Sequence, residues 1–454
     1  MPDFSASPYR AQQALSVLVD AVDGDRKSSQ PLHAVTQIFS SAEADAVAID
    51  SGPQLPLAGW VVLMKACLPA GPNRQADAGV RLLRDVSHPI ASPLQADLRT
   101  QGALVAGQAA MSEWSGMRGS RCPSGWSAVA GQVGNPRAPG HTPWGSSSGS
   151  AAAVAAGWVR AAVGTDTSGS ITLPAAVTGT VGMRPSLPGR ALNGAIGISR
   201  AQDRPGFIAR NTADLGRLWH ALTGAGAGQW SGKNAIAVVN TGGDPVTQAA
   251  LADWQSAASA RGWRVEEVSS DSLRALADAP DEVTLLTAEF SQALDDLVAA
   301  VGWQVACGNR TELFERFTED PTELWDVVGG DLLQAACTMD QATAASLMSA
   351  RPALEQRAWA ILAEALASAQ APALALLVPL SAWPVDDQTF PTSDPATTYP
   401  TVAPCIAGWP QVCIPIGLDG PPVGLVLTMP PGDDGALIAL AHELAFEGDH
   451  GHVA

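Results

Sequence analysis

Two short clusters of serine and glycine, separated by an alanine-rich apolar stretch, fill the segment between Trp144 and Arg184. The first cluster covers residues 146–149 and the second covers residues 167–170. A flexible Ser/Gly linker has no apolar runs that can pack, whereas each cluster here lies at the edge of a segment able to form a helix or a strand. The segment is therefore predicted to belong to an ordered core and not to a linker.

Length and charge set the broad class of the protein. The chain has 454 residues, 46% of them hydrophobic, which suffices for one large α/β domain or two ordinary ones. Its formal net charge of -18 is spread along the chain without acidic blocks, which favours solubility and disfavours nucleic-acid binding. No apolar run approaches the about 20 residues of a membrane span, and the N-terminus lacks a signal-peptide pattern. We expect a cytoplasmic protein that binds neither nucleic acid nor membrane.

The cysteines indicate neither a disulfide framework nor a metal site. They are Cys67, Cys122, Cys307, Cys337, Cys405 and Cys413. None forms a C-x-x-C pair or a spacing typical of metal ligands, so most are expected to be buried free thiols. Cys67 lacks a neighbouring histidine or helix N-terminus that could stabilise a thiolate, and it is interpreted as inert.

Lysine is scarce in this chain. Only Lys27, Lys65 and Lys233 are lysines among the 26 basic residues. Lys27 and Lys233 lie in polar stretches, but Lys65 follows the apolar run of residues 57–64, which is typical of a buried strand. A strand-end lysine taken alone would be expected to extend its amine to solvent.

The serine clusters change that interpretation, because a serine hydroxyl is a poor nucleophile until a base removes its proton. The usual base is histidine, but only His141 lies beside a serine cluster, and an ordinary loop histidine is the simpler interpretation of it. Burial disfavours the ammonium form of lysine and lowers its pKa, so a buried Lys65 is a candidate base near neutral pH.

Hydrophobic periodicity predicts alternating helices and strands, and hence an α/β fold. Helices are predicted at residues 8–22, from about 30 to 48, and at 93–102, 151–156, 211–223, 245–260, 272–279, 284–301, 321–337, 340–369 and 435–446. Strands are predicted at residues 55–64, 103–106, 160–164, 177–183, 235–239, 373–378, 411–416 and 422–427. The long stretch 112–143, rich in Gly, Pro, Ser and Trp, is predicted to be an ordered loop bordering a site.

The two clusters in their context, GSSSGSAAAVAAG followed by GTDTSGSITLPAAVTGTVGMRP, resemble the amidase signature family of Ser-Ser-Lys hydrolases. The loop at residues 112–136 is most similar to that of bacterial peptide amidases. The resemblance implies a large twisted mixed β-sheet flanked by helices on both faces. It implies a single domain over residues 1–454, with an N-terminal helical brace (1–50), a signature core (55–227), a variable substrate-facing region (228–400) and terminal strands and helix (401–454).

The resemblance also implies roles for individual residues. Ser170 matches the family's acyl-forming nucleophile, Ser146 its bridging serine preceded by a cis peptide bond, and Lys65 its general base. The backbone amides of the second cluster would form the oxyanion hole, and two further positions would brace the lysine and the loop. The oxyanion-hole residues are Thr167, Ser168, Gly169 and Ser170, and the bracing residues are Ser147 and Asp166.

A small-molecule or peptide amide is the implied substrate, and the resemblance implies no metal or cofactor. Ser115, Trp126 and Trp144 are predicted to border the substrate, with Trp114 as a further candidate for an aromatic wall. The chain departs from the family pattern where Ala66 and Cys67 follow the lysine in place of the usual Asp-Asn, and where Ser168 replaces a common glycine. The region 228–400 matches weakly.

Hydrolysis of a carboxamide through an acyl-enzyme is the predicted function, in a monomer or homodimer. One alternative is a non-hydrolytic chain similar to the amidotransferase component that passes ammonia to a partner, an A-type subunit. Another is a catalytically degenerate relative that only binds its ligand, which the altered sequence after Lys65 suggests.

Overall fold

The computed structural model describes residues 10–119, 121–186, 192–226, 230–279, 281–378, 399–417 and 420–446. Its strands are β1 (Val35–Ile38), β2 (Val61–Lys65), β3 (Leu104–Ala109), β4 (Trp126–Ser127), β5 (Gly131–Gln132), β6 (Ala161–Asp166), β7 (Val181–Arg184), β8 (Arg204–Ala209), β9 (Ala235–Val239), β10 (Arg264–Val268), β11 (Leu374–Leu377), β12 (Gln411–Gly417) and β13 (Val423–Thr428). Its α-helices are α1 (Ala11–Asp25), α2 (Ala42–Asp50), α3 (Pro93–Thr100), α4 (Ser148–Ala155), α5 (Thr172–Thr178), α6 (Thr212–Thr223), α7 (Pro245–Ala260), α8 (Asp271–Ala277), α9 (Asp281–Val301), α10 (Arg310–Glu319), α11 (Trp325–Val328), α12 (Asp331–Thr338), α13 (Gln341–Met348), α14 (Arg351–Ala369), α15 (Tyr399–Ile406) and α16 (Asp434–Leu444).

One mixed sheet organises these elements. Within the described ranges it has 11 strands in the order β1-β3-β2-β6-β8-β7-β12-β13-β11-β9-β10, and β4 and β5 form a separate hairpin. Strand β2 runs parallel to both β3 and β6, whereas β6, β8, β7, β12 and β13 pair antiparallel in turn. The predicted large mixed α/β sheet is confirmed.

Helices cover both faces of the sheet, as the alternation of side chains along β2 illustrates. Val61 and Leu63 join one hydrophobic cluster with residues of α1 and α4, while Val62 and Met64 join another with residues of α3 and α6. A strand buried on both faces is apolar at successive positions because neither set of side chains meets water. This explains the apolar run that precedes Lys65.

The functional residues gather at one edge of the sheet because parallel strands end together. Lys65 is the last residue of β2 and pairs in register with Ala109, the last residue of β3. The neighbouring strand β6 ends at Asp166, immediately before the second serine cluster. The chain thus brings Lys65 and residues 167–170 to the same edge although about 100 positions separate them.

Several of the predicted elements are wrong. The single helices predicted at 321–337 and 340–369 are each divided, the first into α11 and α12 and the second into α13 and α14. The helix predicted from about 30 to 48 contains the edge strand β1, which pairs antiparallel with β3, and only α2 is helical there. The strand predicted at 177–183 begins instead with the end of α5, which stops at Gly179 in a left-handed conformation (φ 67°). Glycine is the residue type that most often ends a helix in this conformation, and β7 starts two residues after Gly179. The strands β8 and β10 were not predicted.

Gly149 packs so closely against the backbone of a neighbouring loop that a side chain has no room. A Cβ there would lie 2.5 Å from the Ala110 amide nitrogen and 2.6 Å from its carbonyl oxygen. We expect Gly149→Ala to lower the free energy of unfolding by about 1–3 kcal/mol, because backbone must move. Chemical denaturation would measure it. The control is Gly24→Ala in α1, where no atom lies within 4 Å of the added Cβ; an equal loss in both variants would contradict the steric argument.

In the ranges given above, none of the helices combines the length and the apolar composition that crossing a bilayer requires.

Candidate active site

The amine of Lys65 is fully buried and contacts two residues of the site. Its Nζ donates hydrogen bonds to Ser146 Oγ at 2.6 Å, to Thr165 Oγ1 at 2.8 Å and to the Thr165 carbonyl oxygen at 3.3 Å. An ammonium group has three N–H donors, whereas a neutral amine has two donors and one lone pair. The three partners therefore suit both protonation states, because in the neutral amine the lone pair can accept the Ser146 proton while both N–H groups stay on Thr165.

Burial lowers the pKa of Lys65 below its ordinary value. Negative charge on Asp166 and Asp203 opposes this shift because it favours the ammonium form, but desolvation by burial is the larger effect. The sequence predicted a buried, neutral amine at the end of a strand, and the structure places the side chain in that environment. No part of it reaches solvent.

The first serine cluster contacts both Lys65, at the end of β2, and the second cluster. The peptide bond between Gly145 and Ser146 is cis, the conformation that the family resemblance implied. The Ser146 carbonyl oxygen accepts a hydrogen bond from the Ser112 amide at 3.1 Å, and the Ser147 amide donates to the Ser170 carbonyl oxygen at 3.0 Å. The two clusters are thus in direct contact through their backbones.

Ser170 is half-buried at the start of the turn into α5. Its hydroxyl forms no hydrogen bond with any residue in the described ranges, so the oxygen is not committed to a structural partner. Lys65, Ser146 and the backbone of Ser170 lie together at the sheet edge, as the sequence predicted.

Asp166 shapes the loop that carries Ser170. Its carboxylate accepts hydrogen bonds from the amides of Gly169 at 2.9 Å, Ile171 at 2.7 Å and Thr172 at 3.4 Å. Arg184 Nε lies 3.3 Å from the same carboxylate, and both side chains are fully buried. Asp166 therefore braces the loop in the way that the sequence predicted for it.

This arrangement corrects one member of the predicted oxyanion hole. The Gly169 amide donates to Asp166 Oδ1, so Thr167, Ser168 and Ser170 remain as the candidate donors. Among the described residues, none accepts a hydrogen bond from these three amides. Gly169 instead supplies a backbone conformation with φ of +117°, which side-chain-bearing residues rarely adopt.

Thr165 is a site residue that the sequence analysis missed. Besides contacting Lys65, Thr165 bonds Ser147 twice. The Thr165 carbonyl oxygen accepts a hydrogen bond from Ser147 Oγ at 3.1 Å, and the Thr165 amide donates to Ser147 Oγ at 3.3 Å. Ser147 thus supports the lysine indirectly, through Thr165. The signal in the sequence was the position of Thr165 directly after a predicted strand and before the second serine cluster. The structure pairs β2 with β6 in parallel, which makes the ends of these strands neighbours.

Cys67 and His141 take no direct part in this geometry. Cys67 Sγ lies 3.6 Å from Thr165 Oγ1, and burial raises the pKa of its thiol, which keeps it protonated. The His141 ring contacts the Pro139 carbonyl oxygen in its own loop at 3.2 Å. Both were interpreted as non-catalytic from the sequence.

The predicted aromatic wall is only partly present. Trp114 is 2% exposed and packs against Phe290 and Phe317, so its assignment to a wall is wrong. Trp144 is 5% exposed and belongs to a hydrophobic core cluster, so little of its ring can meet a ligand. Trp126 is half-buried and remains a candidate.

Ser115 and Trp126 lie in the loop at 112–128, which a buried hydrogen bond between Arg118 and Glu113 holds in place. Arg118 Nη1 lies 2.5 Å from Glu113 Oε1, with neither side chain exposed. Glu113 Oε2 accepts a hydrogen bond from the Ala128 amide at 2.7 Å. Burial raises the pKa of Glu113 to about 8, although Arg118 opposes the shift. The predicted ordered loop is confirmed, and Ser115 is half-buried within it.

Comparison with known proteins matches the chain to the Amidase family over residues 25–438. The A-type subunit of glutamyl-tRNA(Gln) amidotransferase from Deinococcus radiodurans is 28% identical over 445 residues, covering 91% of this chain and 90% of that protein. A probable amidase of Arabidopsis thaliana is 34% identical over 229 residues, 49% of this chain, and the match spans only 44% of that relative's length. The crystal structure of native peptide amidase from Stenotrophomonas maltophilia is similar with a TM-score of 0.81 and 27% identity, covering 96% of this chain and 93% of that one.

Proposed function

This chain belongs to the amidase family, and we propose that it hydrolyses carboxamides through an acyl-enzyme formed on Ser170. The observation that carries the proposal is the 2.6 Å contact between Lys65 Nζ and Ser146 Oγ in a fully buried environment. A buried amine hydrogen-bonded to one serine, in backbone contact with the loop of a second serine whose hydroxyl is uncommitted, has the composition of a base, a relay and a nucleophile.

Acylation begins with attack of Ser170 Oγ on the amide carbonyl carbon. The Ser170 hydroxyl, which bonds none of the described residues in the resting structure, turns toward Ser146 and passes its proton to the Ser146 oxygen as the Ser146 proton passes to Lys65 Nζ. The relay serine ends unchanged and the lysine carries the charge. When the tetrahedral intermediate collapses, the C–N bond breaks and the same route returns the proton to the leaving nitrogen. Water then attacks the ester, and the relay operates again to release the acid and regenerate Ser170.

The oxyanion of each tetrahedral intermediate would lie against the amides of Thr167, Ser168 and Ser170. Preorganised backbone donors stabilise developing negative charge without rearrangement, and losing one typically reduces the rate by about 10²- to 10³-fold. Thr167 is additionally held through its hydroxyl, which donates to Asp203 Oδ1 at 2.7 Å.

The pH dependence of hydrolysis follows from the burial of Lys65. Only the neutral amine accepts a proton, so activity is absent well below the lysine pKa and complete above it. Since burial lowers that pKa from 10.5, we expect kcat/KM to rise with pH along an acidic limb whose midpoint lies below pH 10.5. Above that midpoint kcat/KM should reach its plateau. A pH profile of kcat/KM with a neutral peptide amide measures this. A limb centred on the ordinary lysine pKa would contradict the assignment.

The reaction itself is tested by ammonia or amine release from four substrates: a peptide with a C-terminal amide, an aryl amide, a fatty amide and a urea-type compound. We propose that the peptide amide is the best of these, because a peptide amidase shares the fold over 96% of this chain at 27% identity. Absence of release from all four by the purified protein would argue against autonomous hydrolysis.

A second candidate function is that of an amidotransferase A-type subunit. The observation that favours it is the match to such a subunit of glutamyl-tRNA(Gln) amidotransferase over 91% of the chain. Gel filtration combined with the ammonia-release assay separates the two functions. A hydrolase turns over as the isolated chain, whereas a transfer subunit releases ammonia only in a complex with other chains.

A further inference from the structure

A chain of buried polar side chains reaches the proposed oxyanion loop from outside the signature segment. Ser168 Oγ donates a hydrogen bond to Glu282 Oε1 at 2.5 Å. Gln202 Nε2, whose amide has two N–H groups, lies within hydrogen-bonding distance of three acceptors: that same Glu282 oxygen at 2.9 Å, Ser168 Oγ at 3.0 Å and the Thr167 carbonyl oxygen at 2.9 Å. Glu282, in the first turn of α9, is therefore bonded to the Ser168 side chain of the loop. It is also bonded to the Gln202 side-chain amide, which in turn contacts the Thr167 carbonyl oxygen of the loop.

Two other parts of the chain stabilise this arrangement. Arg351, at the start of α14, donates to Gln202 Oε1 at 3.2 Å and forms a bidentate pair with Glu289 of α9 at 2.5 and 2.6 Å. Thr401 Oγ1 of α15 donates to the Ser168 carbonyl oxygen at 2.9 Å. Ser168 is thus held through its hydroxyl and through its carbonyl oxygen.

The burial of these groups makes their hydrogen bonds consequential. Glu282 is 6% exposed and Gln202 is 1% exposed, so neither can replace a lost partner with bulk water. An unsatisfied buried polar group is unfavourable, and a network of this kind fixes the conformation of the backbone to which it is bonded. Here that backbone belongs to Thr167 and Ser168, whose amides are the proposed oxyanion donors.

We propose that Ser168, Gln202 and Glu282 form a positioning unit that fixes the oxyanion loop, and that the Ser168 hydroxyl bonds Glu282 to the loop directly. The inference rests on the proposed function. The family pattern commonly has glycine at the position of Ser168, and a glycine there has no hydroxyl to bond the carboxylate. The positioning unit is therefore a feature of this chain's own residues.

The test compares Ser168→Ala, Glu282→Ala and Glu282→Gln in the full chain. We expect Ser168→Ala and Glu282→Ala each to lower kcat by about 10- to 100-fold, because displacement of a catalytic group by about 1 Å can cost about 100-fold. KM should change less than kcat. Glu282→Gln should keep most of the activity, since its amide oxygen can accept the same two hydrogen bonds.

A double-mutant cycle identifies the pair as one unit. The variant with both Ser168→Ala and Glu282→Ala should be no slower than the slower single variant, because the second substitution removes a bond already lost. Multiplied losses, or full kcat in both single variants, would overturn the proposal. Thermal unfolding of each variant identifies any that does not fold. If an alanine variant does not fold, the rate of Glu282→Gln tests the proposal instead. A folded Glu282→Gln enzyme with a low kcat would contradict positioning through hydrogen bonds.

Inhibitor binding supplies a readout that a general structural defect would not move. Ser170 Oγ adds to the carbonyl carbon of a peptide aldehyde: the Oγ–C bond forms as the C=O π bond breaks, and the Ser170 proton passes through Ser146 to Lys65 Nζ. The former carbonyl oxygen then carries the negative charge and occupies the oxyanion position. In Ser168→Ala its affinity should fall in parallel with kcat, whereas the affinity of the matching peptide alcohol should not change. Equal losses for both would overturn the proposal. Labelling of Ser170 by a fluorophosphonate in the unsubstituted protein tests the proposed function separately.

Discussion

Substitution of Ser170 by alanine is expected to reduce amide hydrolysis by about 10⁴- to 10⁶-fold, because no other group in the proposed mechanism can form the acyl-enzyme. The substitution should barely affect stability, with a change of about 0.5 kcal/mol or less in the free energy of unfolding. The hydroxyl is half-buried and bonds none of the described residues, so its removal breaks no internal contact. Ammonia release and chemical denaturation measure the two quantities.

Ser256→Ala is the matched control for this substitution. Ser256 lies exposed on α7, so the same chemical change should leave both activity and fluorophosphonate labelling as they are. Labelling should disappear in Ser170→Ala. If purified Ser170→Ala still hydrolysed amides at an appreciable fraction of the original rate, the nucleophile would lie elsewhere and the mechanism would be wrong.

Replacing Lys65 with methionine is expected to lower kcat/KM by about 10³- to 10⁵-fold, since the general base is lost while the volume of the side chain is roughly kept. The residual activity should no longer show the acidic limb assigned to Lys65. Ser146 Oγ and Thr165 Oγ1 each lose a hydrogen-bond donor, so thermal unfolding should be recorded together with the rates.

Lys233→Met serves as the control because Lys233 is exposed and precedes β9. It removes one positive charge without touching the site, and it should leave kcat/KM and its pH profile unaltered. A Lys65→Met enzyme with the original pH profile would show that another group sets the acidic limb.

The central residues of the site could be predicted because the sequence around the serine clusters resembles the amidase signature family. Lys65 ends an apolar strand, and Ser146 and Ser170 each lie in a Ser/Gly cluster next to a packed segment. The strand order then brings these loops to one edge of the sheet. What the sequence suggested for Asp166 also agrees with the geometry, since a carboxylate preceding a Gly-containing loop can accept its amides.

Other features depend on contacts between distant parts of the chain. Nothing around Glu282 distinguishes it from the surface carboxylates of other helices, and its meeting with Ser168 depends on how α9 docks against the sheet. Trp114 lies in a loop that looked exposed, but it packs on Phe290 and Phe317 from a region with no recognisable motif. The edge strand β1 has only four residues and is partly polar, so its own sequence does not indicate a strand. Its extended conformation depends on pairing with β3.

The contacts of the nucleophile loop have a consequence for biosynthesis. Thr401 bonds the Ser168 carbonyl oxygen, and Cys405 Sγ lies 3.5 Å from Asp166 Oδ1, across 239 positions of sequence. A ribosome delivers Ser170 long before it delivers these partners, so a nascent or truncated polypeptide that ends before α15 holds every proposed catalytic side chain and still lacks the contacts that shape them. Competence for turnover should therefore arise late, when the C-terminal segment has docked.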